Sequence, residues 1–143
     1  MKDRSEVRNT LFSISHAWKK LLQPRFIELG LTLGQGQPRI LASLLQQENV
    51  TQRELADACH LEAATLSRVL DHMEKADLVN RQRAPDCRRS WQITLTEKGR
   101  STAREVQRSF DEADDKIWSG FSENEMEQLL NGLERIYQNL REL

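Results

Sequence analysis

The sequence predicts a mainly α-helical fold with one small β-hairpin, and two observations carry this prediction. Apolar residues recur at alternating steps of three and four along segments near both ends of the chain, as one face of an α-helix requires. Between these segments, two short runs rich in Val, Ile, Trp and Thr flank a polar turn, as paired strands do. We therefore expect long helices at both ends and a hairpin between them.

Length and composition limit the class of protein further. A chain of 143 residues is the size of one ordinary domain, so we expect a single domain over residues 1–143. No apolar run is long enough to cross a bilayer, and the charged N-terminus lacks the pattern of a secretory signal. Two cysteines are too few for a disulfide scaffold, and we expect a cytoplasmic protein in a reducing compartment.

Two helices are predicted before residue 50. The first runs from about Asp3 to Leu29, and Pro24 is expected to bend or interrupt it because proline removes a helix hydrogen bond. Its apolar face is formed by Val7, Leu11, Ile14, Trp18 and Leu21. The second helix has Pro38 in its first turn and ends near Gln47. It is predicted to bury Ile40, Leu41, Leu44 and Leu45.

The next two helices are joined by a turn that is short enough for a helix-turn-helix. Residues 51–54, Thr-Gln-Arg-Glu, form a capping box at the start of a short helix that buries Leu55 and Ala56. After a turn at about residues 59–61, a second helix runs to about Lys75. Its inner face consists of Leu66, Val69, Leu70 and Met73. This spacing is typical of helix-turn-helix geometry.

A hairpin and two more helices complete the prediction. The strand candidates are residues 78–84 and 91–95, with a basic turn between them. Thr96 is predicted to cap a long helix whose apolar stripe is Ala103, Val106, Phe110, Ala113 and Ile117. A second capping box, at residues 122–125, begins the last helix. Its apolar side is formed by Met126, Leu129, Leu133, Ile136 and Leu140.

Together these elements predict a mainly α fold, a winged helix-turn-helix with a small β-hairpin wing and long N- and C-terminal dimerisation helices. We place the winged lobe at about residues 34–99 and the helical dimerisation region at about 1–30 and 100–143. A chain this small does not easily cover three long apolar stripes by itself, so we expect a homodimer. Two recognition helices related by a two-fold axis would meet major grooves about 34 Å apart, which predicts an inverted-repeat site on double-stranded DNA.

The second helix of the helix-turn-helix carries side chains that suit a DNA groove. Its outer face has Thr65, Ser67 and Arg68, beside two small alanines that permit close approach to the duplex. Arg68 either reads guanine or holds a phosphate, and both roles also remain open for Thr65 and Ser67. Arg53 is a further predicted DNA contact.

The hairpin is predicted to act as a basic wing. It carries Arg81, Arg83, Arg88 and Arg89 against one acid, Asp86. Such a wing lies over phosphates or places an arginine in the minor groove. Residues 111–143 are acidic by contrast, so the middle of the chain is predicted to face DNA. Their acids are Asp111, Glu112, Asp114, Asp115, Glu123, Glu125, Glu127, Glu134 and Glu142.

Four motifs, in this order and spacing, resemble the MarR family of bacterial regulators. They are TQRELA from Thr51, ATLSRVLDHMEKADLV ending at Val79, DCRR from Asp86 and LTEKG ending at Gly99. The resemblance implies a winged-helix dimer of six helices per chain. It also implies binding to pseudo-palindromic operators, with repression that usually lasts until a small ligand or an oxidant weakens DNA binding.

The resemblance also implies roles for individual residues. Those implied to contact DNA are Thr65, Ser67, Arg68 and Arg88, and Asp86 is implied to brace the wing. The recognition helix begins Glu62-Ala63-Ala64. This departs from the Gly-, Pro- or Ser-rich start that is typical of the family, so base contacts at these three positions do not carry over.

Some residues are candidates for sensing an effector. The candidates for a pocket, at a location that the resemblance suggests, are Phe12, His16 and Trp18, with a small aromatic or phenolic molecule as effector. Core or interface packing is the favoured alternative, because aromatic side chains bury a large area. Cys87 is a candidate redox thiol because its arginine neighbours would lower its pKa, but an incidental wing cysteine is favoured. Cys59 is expected to be buried.

Other functions are less well matched by the sequence. It lacks a Gly-x-Ser-x-Gly elbow and a phosphate-binding glycine loop, so we expect no enzyme. The histidines lack metal-binding spacing, and we expect no metal and no cofactor. A winged helix that binds only proteins is the remaining alternative, because the fold alone does not prove DNA binding. The basic wing and the polar recognition face favour DNA.

Overall fold

The computed structural model describes residues 3–32, 36–85 and 87–143, without the side chains of residues 84 and 87–89. Six helices and three strands follow one another in these parts of the chain. They are α1 (Arg4–Glu28), α2 (Gln37–Gln46), β1 (Val50–Thr51), α3 (Gln52–Cys59), α4 (Ala63–Lys75), β2 (Val79–Ala84), β3 (Cys87–Leu95), α5 (Glu97–Ile117) and α6 (Glu123–Arg141). The predicted mainly α fold with a small hairpin is confirmed.

The chain divides into two compact units, residues 1–110 and residues 111–143. The first unit contains the helix-turn-helix and the sheet, and the second contains α6. Helix α5 begins in the first unit and ends in the second. The single-domain organisation and the boundaries expected from the sequence stay a prediction.

The sheet has three antiparallel strands in the order β1, β3, β2. Strand β1 was not predicted from the sequence; it pairs Val50 with Ile93 of the central strand. The predicted hairpin of β2 and β3 is present, and its ladder runs from Val79 opposite Leu95 to Arg83 opposite Trp91. There the register shifts, and β3 already begins at Cys87. The expectation that residues 87–90 lie in the turn is therefore wrong.

Most helices and strands of the first unit contribute at least one side chain to its core. The helix faces predicted for α2, α3 and α4 are buried, except that Leu45 is only half-buried. The largest side chains that are completely buried are Ile40, Leu41, Leu44, Leu55, Leu66, Val69, Leu70, Met73, Val79, Ile93 and Val106. Burying one such side chain contributes about 1.5–3 kcal/mol. This core fixes α3, α4 and the base of the hairpin together.

Helix α1 is continuous through Pro24, so an interruption there is excluded, whereas the alternative of a bend stays a prediction. The proline removes one backbone hydrogen bond, but Leu22 and Phe26 on either side of it are buried. Phe26 also packs edge-on against Phe110 of α5, with ring centroids 5.7 Å apart. These contacts retain the helix through the proline. The apolar side chains nearer the N-terminus, Val7, Leu11, Ile14 and Leu21, are exposed in the isolated chain.

The start of α5 is tied to the turn that follows α4. The predicted cap is present, since the Thr96 hydroxyl accepts from the Gly99 amide at 2.8 Å. The same hydroxyl donates to the carbonyl oxygen of Asp77 at 2.6 Å. Lys98 donates to the carbonyl oxygen of Ala76 at 2.9 Å. These two hydrogen bonds tie the start of α5 to the turn that leads into β2.

In the second unit, α6 begins with the predicted capping box. The Glu125 amide donates to the Ser122 hydroxyl at 3.1 Å, and the Ser122 amide donates to the Glu125 carboxylate at 3.0 Å. None of the side chains of α6 is buried. The apolar ones are Met126, which is half-buried, and the exposed Leu129, Leu130, Leu133, Ile136, Tyr137 and Leu140. Across the described residues, no helix is long and apolar enough to cross a membrane.

Candidate nucleic-acid interface

Helix α3 is positioned by its N-terminal cap and by the turn that follows it. The Thr51 hydroxyl accepts from the Glu54 amide and donates to the Glu54 carboxylate, both at 3.1 Å. At the other end, His60 adopts a left-handed conformation, and the Leu61 amide donates to the carbonyl oxygen of Ala56 at 3.0 Å. The chain therefore turns sharply and enters α4 within three residues.

Helix α4 presents the face that the sequence predicted for DNA. Its inner residues Leu66, Val69, Leu70 and Met73 are buried, so the helix has one fixed orientation in the lobe. On the other side Arg68 is exposed, whereas Thr65 and Ser67 are half-buried. The methyl groups of Ala63 and Ala64 are exposed at its N-terminus. Near the helix start this face carries only the small side chains of Ala63, Ala64, Thr65 and Ser67.

A cleft of about 730 Å³ lies between the helix-turn-helix and the sheet. Its walls come from the first turn of α3, the N-terminus of α4 and residues Ser90 and Trp91 of β3. Arg53, a predicted DNA contact, lines this cleft and is exposed. The structure thus brings Arg53 close to the start of α4, on the same side as the wing.

A cation–π contact joins the two neighbouring strands of the wing. Arg83 and Trp91 lie opposite each other in the ladder, and the guanidinium carbon of Arg83 is 4.5 Å from the centroid of the Trp91 ring. The predicted contacts Arg88 and Arg89 belong to β3, but their side chains lie outside the described residues, as does that of Cys87. Asp86, the predicted brace, lies outside them altogether.

Arg81 is not part of the free basic surface that the sequence suggested. Its guanidinium donates to the carboxylates of Asp71 and Glu74 on α4, the latter at 3.2 Å. Only 16% of its side chain is exposed. Burial alone would lower the pKa of Arg81, but the hydrogen bonds to the two carboxylates outweigh it and raise that pKa. Arg81 therefore stays charged and faces the recognition helix.

The candidate effector residues lie on α1. Phe12 is 77% exposed and His16 is also exposed, so neither is a core residue of this chain. They are four residues apart and share one side of the helix, whereas Trp18, which is half-buried, points about 160° away from His16. The three side chains therefore do not all lie on one side of α1. Their packing at an interface and their role in an effector pocket stay predictions.

Cys59 is buried in the helix-turn-helix, as expected, with 4% of the residue exposed. Burial raises the pKa of its thiol, and the nearby Arg39 and a hydrogen bond with Ser43 lower it by less. A thiol in this environment is poorly reactive. Among the described residues, no group of three or more His, Cys, Asp or Glu side chains is arranged to hold a metal ion.

Comparison with known proteins gives one family and many solved structures. The model of the MarR family matches residues 33–91. The solved transcriptional regulator PA3341 is 30% identical over 96% of this chain and 99% of that one, with a TM-score of 0.83. The complex of S. aureus MepR with DNA is 26% identical over 92% and 94%, with a TM-score of 0.83. MepR in its DNA-binding conformation is 26% identical over 94% and 98%, with a TM-score of 0.85.

Proposed function

The chain belongs to the MarR family of winged-helix transcriptional regulators, which are not enzymes, and we propose that it regulates transcription by binding a pseudo-palindromic DNA site as a homodimer. In this proposal α4 enters the major groove, and the wing of β2 and β3 lies on the flanking backbone. Arg53, Thr65, Ser67, Arg68, Arg88 and Arg89 are the proposed DNA contacts.

The outer face of α4 is the observation that carries this proposal. On this face Arg68 and two small alanines are exposed and Thr65 and Ser67 are half-buried, whereas the inner side of the helix is buried in the core. A groove of about 12 Å admits one helix of this kind. S. aureus MepR, which shares the fold, has been solved as a complex with DNA. The same surface in this chain is proposed to contact DNA in a similar way.

The apolar side chains at the ends of the chain support dimerisation. Those of α6 are exposed along one side of the helix, and so are Val7, Leu11 and Ile14 of α1. Contiguous apolar surface of this extent is usually covered by another molecule. A second copy would place two α4 helices on one face of a duplex, so an inverted repeat is the expected site.

The proposal also covers repression and its release by an effector. We propose that the dimer represses transcription in the cytoplasm, and that a small aromatic or phenolic effector, or an oxidant, releases it from DNA. Its support is the resemblance to the family. The effector would change the distance between the two DNA-reading lobes. Equal lobe distances in free, effector-bound and DNA-bound dimers would contradict this mechanism.

Selection of binding sites from a random duplex library tests the proposed function. The purified chain is expected to enrich an inverted repeat whose halves are centred about one helical turn apart. Its affinity for that repeat should fall steeply between 50 and 200 mM salt, concentrations chosen because phosphate contacts release counterions over this range. Recovery of no enriched sequence, at any salt concentration tested, would contradict sequence-specific DNA binding.

A single substitution on α4 adds a residue-level test. Arg68→Ala should weaken binding to the selected site by about 10- to 100-fold, because a charge-assisted contact to a base or a phosphate is lost. If Arg68 reads guanine, preference at one position also disappears; if it holds a phosphate, the salt slope falls instead by about 1. Arg135→Ala, which removes the same charge from α6, is the control. Equal effects of the two variants would exclude Arg68 as a DNA contact.

A further inference from the structure

The ion-pair cluster of Arg81, Asp71 and Glu74 joins the wing to the recognition helix. The two acids are three residues apart on α4, so they lie on neighbouring positions of its surface. Arg81 is the third residue of β2, and its Nη2 atom donates to both carboxylates. One cation thus holds two acids that belong to a different element.

The position of Arg81 on β2 places the cluster at the base of the wing. Side chains alternate along a strand, so Val79, Arg81 and Arg83 share one face of the sheet. Val79 is buried in the core, and Arg83 lies over the Trp91 ring in the outer wing. Arg81 stands between these two and is opposite the buried Ile93. The cluster is therefore where the wing leaves the core.

The charges of this cluster are unusual for a helix that meets DNA. Asp71 is three residues after Arg68, so an acid lies next to the cation proposed to contact the duplex. Unpaired, it would repel the phosphates. Arg81 offsets this charge, but its guanidinium would have to leave both carboxylates to reach a phosphate itself. Since most of its side chain is covered, that movement would also expose the base of the wing.

We propose that Arg81 is a positioning residue: by holding Asp71 and Glu74, it fixes the wing relative to α4, so that both fit one duplex, and it does not contact DNA. This inference rests on the proposed function. When the wing is fixed relative to α4, binding is strongest at a DNA site where α4 and the wing make their contacts at the same time. It contributes little to binding of arbitrary DNA, which depends on backbone charge.

A phosphate contact by Arg81 is the competing interpretation, and the two interpretations predict opposite changes. Asp71→Asn combined with Glu74→Gln removes two negative charges near DNA and frees Arg81. If Arg81 positions the wing, this variant binds the selected site more weakly. If Arg81 were an available phosphate contact, the variant would bind more tightly, and its salt slope would become steeper by about 1.

The experiment measures dissociation constants of the full chain for the selected inverted repeat and for a random duplex, at several salt concentrations. For Asp71→Asn/Glu74→Gln we expect about a tenfold loss on the selected site, within the range for coupled side chains, and no loss on random DNA. Asp114→Asn/Asp115→Asn, with the same charge change in the second unit, should leave the ratio of the two constants unaltered. Tighter binding by the first variant, or an unaltered ratio, overturns the proposal.

Arg81→Lys keeps the inference testable if the double variant does not fold. Lysine preserves the charge, but its ammonium is a point charge on a flexible stem and lacks the fixed planar geometry with which the guanidinium directs Nη2 at both carboxylates. We expect it to lose the preference for the selected site while keeping its salt slope. A lysine variant with wild-type preference would overturn the positioning role. If the wild-type chain itself prefers no sequence, the proposed function is wrong. That result differs from a loss of preference, or an unaltered preference, in the variants alone.

Discussion

A β-carbon at position 99 would lie 1.8 Å from the carbonyl oxygen of Leu78, where Gly99 has only hydrogen. Real β-carbons essentially never approach another heavy atom closer than 3.0 Å. The oxygen is not free to move, because it accepts from the Thr96 amide at 3.1 Å. The first turn of α5 therefore rests directly on the backbone at the start of the wing, and this contact requires glycine.

Gly99→Ala is expected to reduce the free energy of unfolding by about 3 kcal/mol, because either α5 or the entry to β2 must shift. Gly132→Ala is the matched control. Position 132 lies within α6 with no atom near the added methyl group, so the change should increase that free energy by about 0.5–1 kcal/mol. Urea unfolding of both variants checks the prediction. Similar stabilities for the two variants would contradict the close contact.

The capping box of α6 predicts a dependence of stability on pH. The backbone hydrogen bond from Ser122, with a smaller effect of its side chain, holds the pKa of Glu125 below its usual 4.5. The stabilisation is therefore complete above the pKa of the unfolded chain, and it is lost as the pH falls through the lower pKa of the folded chain. An NMR titration of the Glu125 carboxyl should show the lowered pKa directly.

Glu125→Gln isolates the contribution of this one carboxyl. Glutamine keeps an oxygen that accepts from Ser122, but it does not titrate. Between pH 7 and pH 3, chosen to span the titration, the stability of Glu125→Gln should fall less than that of the wild type. Parallel losses of stability in the two proteins would contradict a lowered pKa for Glu125.

The buried thiol of Cys59 is expected to resist modification. A Cys87→Ser variant leaves Cys59 as the remaining cysteine. At pH 8, an aromatic disulfide reagent should react much more slowly with Cys59 of the folded chain than with Cys59 of the chain unfolded in urea. Burial limits access and raises the thiol pKa, so little thiolate is present. The pKa of Cys59 is higher in the folded chain than in the unfolded chain. The stability that comes from burying the neutral thiol is therefore present below the unfolded pKa, and it is lost as the pH rises through the folded pKa. Equally fast reaction of the folded and the unfolded chain would contradict the burial of Cys59.

Leu133 lies in the exposed apolar stripe of α6 and tests the proposed dimer. Leu133→Asp should raise the dimer dissociation constant by about 30-fold or more, since a charge would have to be buried in an apolar interface. Asn131→Asp adds the same charge about 160° around the helix and should leave the assembly unaltered. Sedimentation velocity distinguishes the two results. A Leu133→Asp variant that stays dimeric would exclude this stripe from the interface.

Much of the lobe was predictable because local signals agreed with the packing. In α4, the spacing of Leu66, Val69, Leu70 and Met73 predicted both the helix and its buried side. The caps at Thr51, Thr96 and Ser122 placed three helix starts within a residue or two. Capping and periodicity depend on neighbours along the chain, so the sequence alone displays them.

The features that the sequence did not predict depend on distant partners. Strand β1 is two residues long, too short to show alternation, and it exists because β3 pairs with it. Arg81 was grouped with the wing cations because its type and strand position resemble those of Arg83. A signal was present in the two acids of α4, three residues apart, but only the fold brings them to the arginine.

The uncovered apolar side of α6 has a consequence for how this protein behaves in dilution. If a second copy covers those side chains, folding and association are linked by mass action, and no single melting temperature describes the protein. The midpoint would rise with subunit concentration. In a cell, the number of copies would then set how long each subunit survives proteolysis as well as how much DNA it occupies.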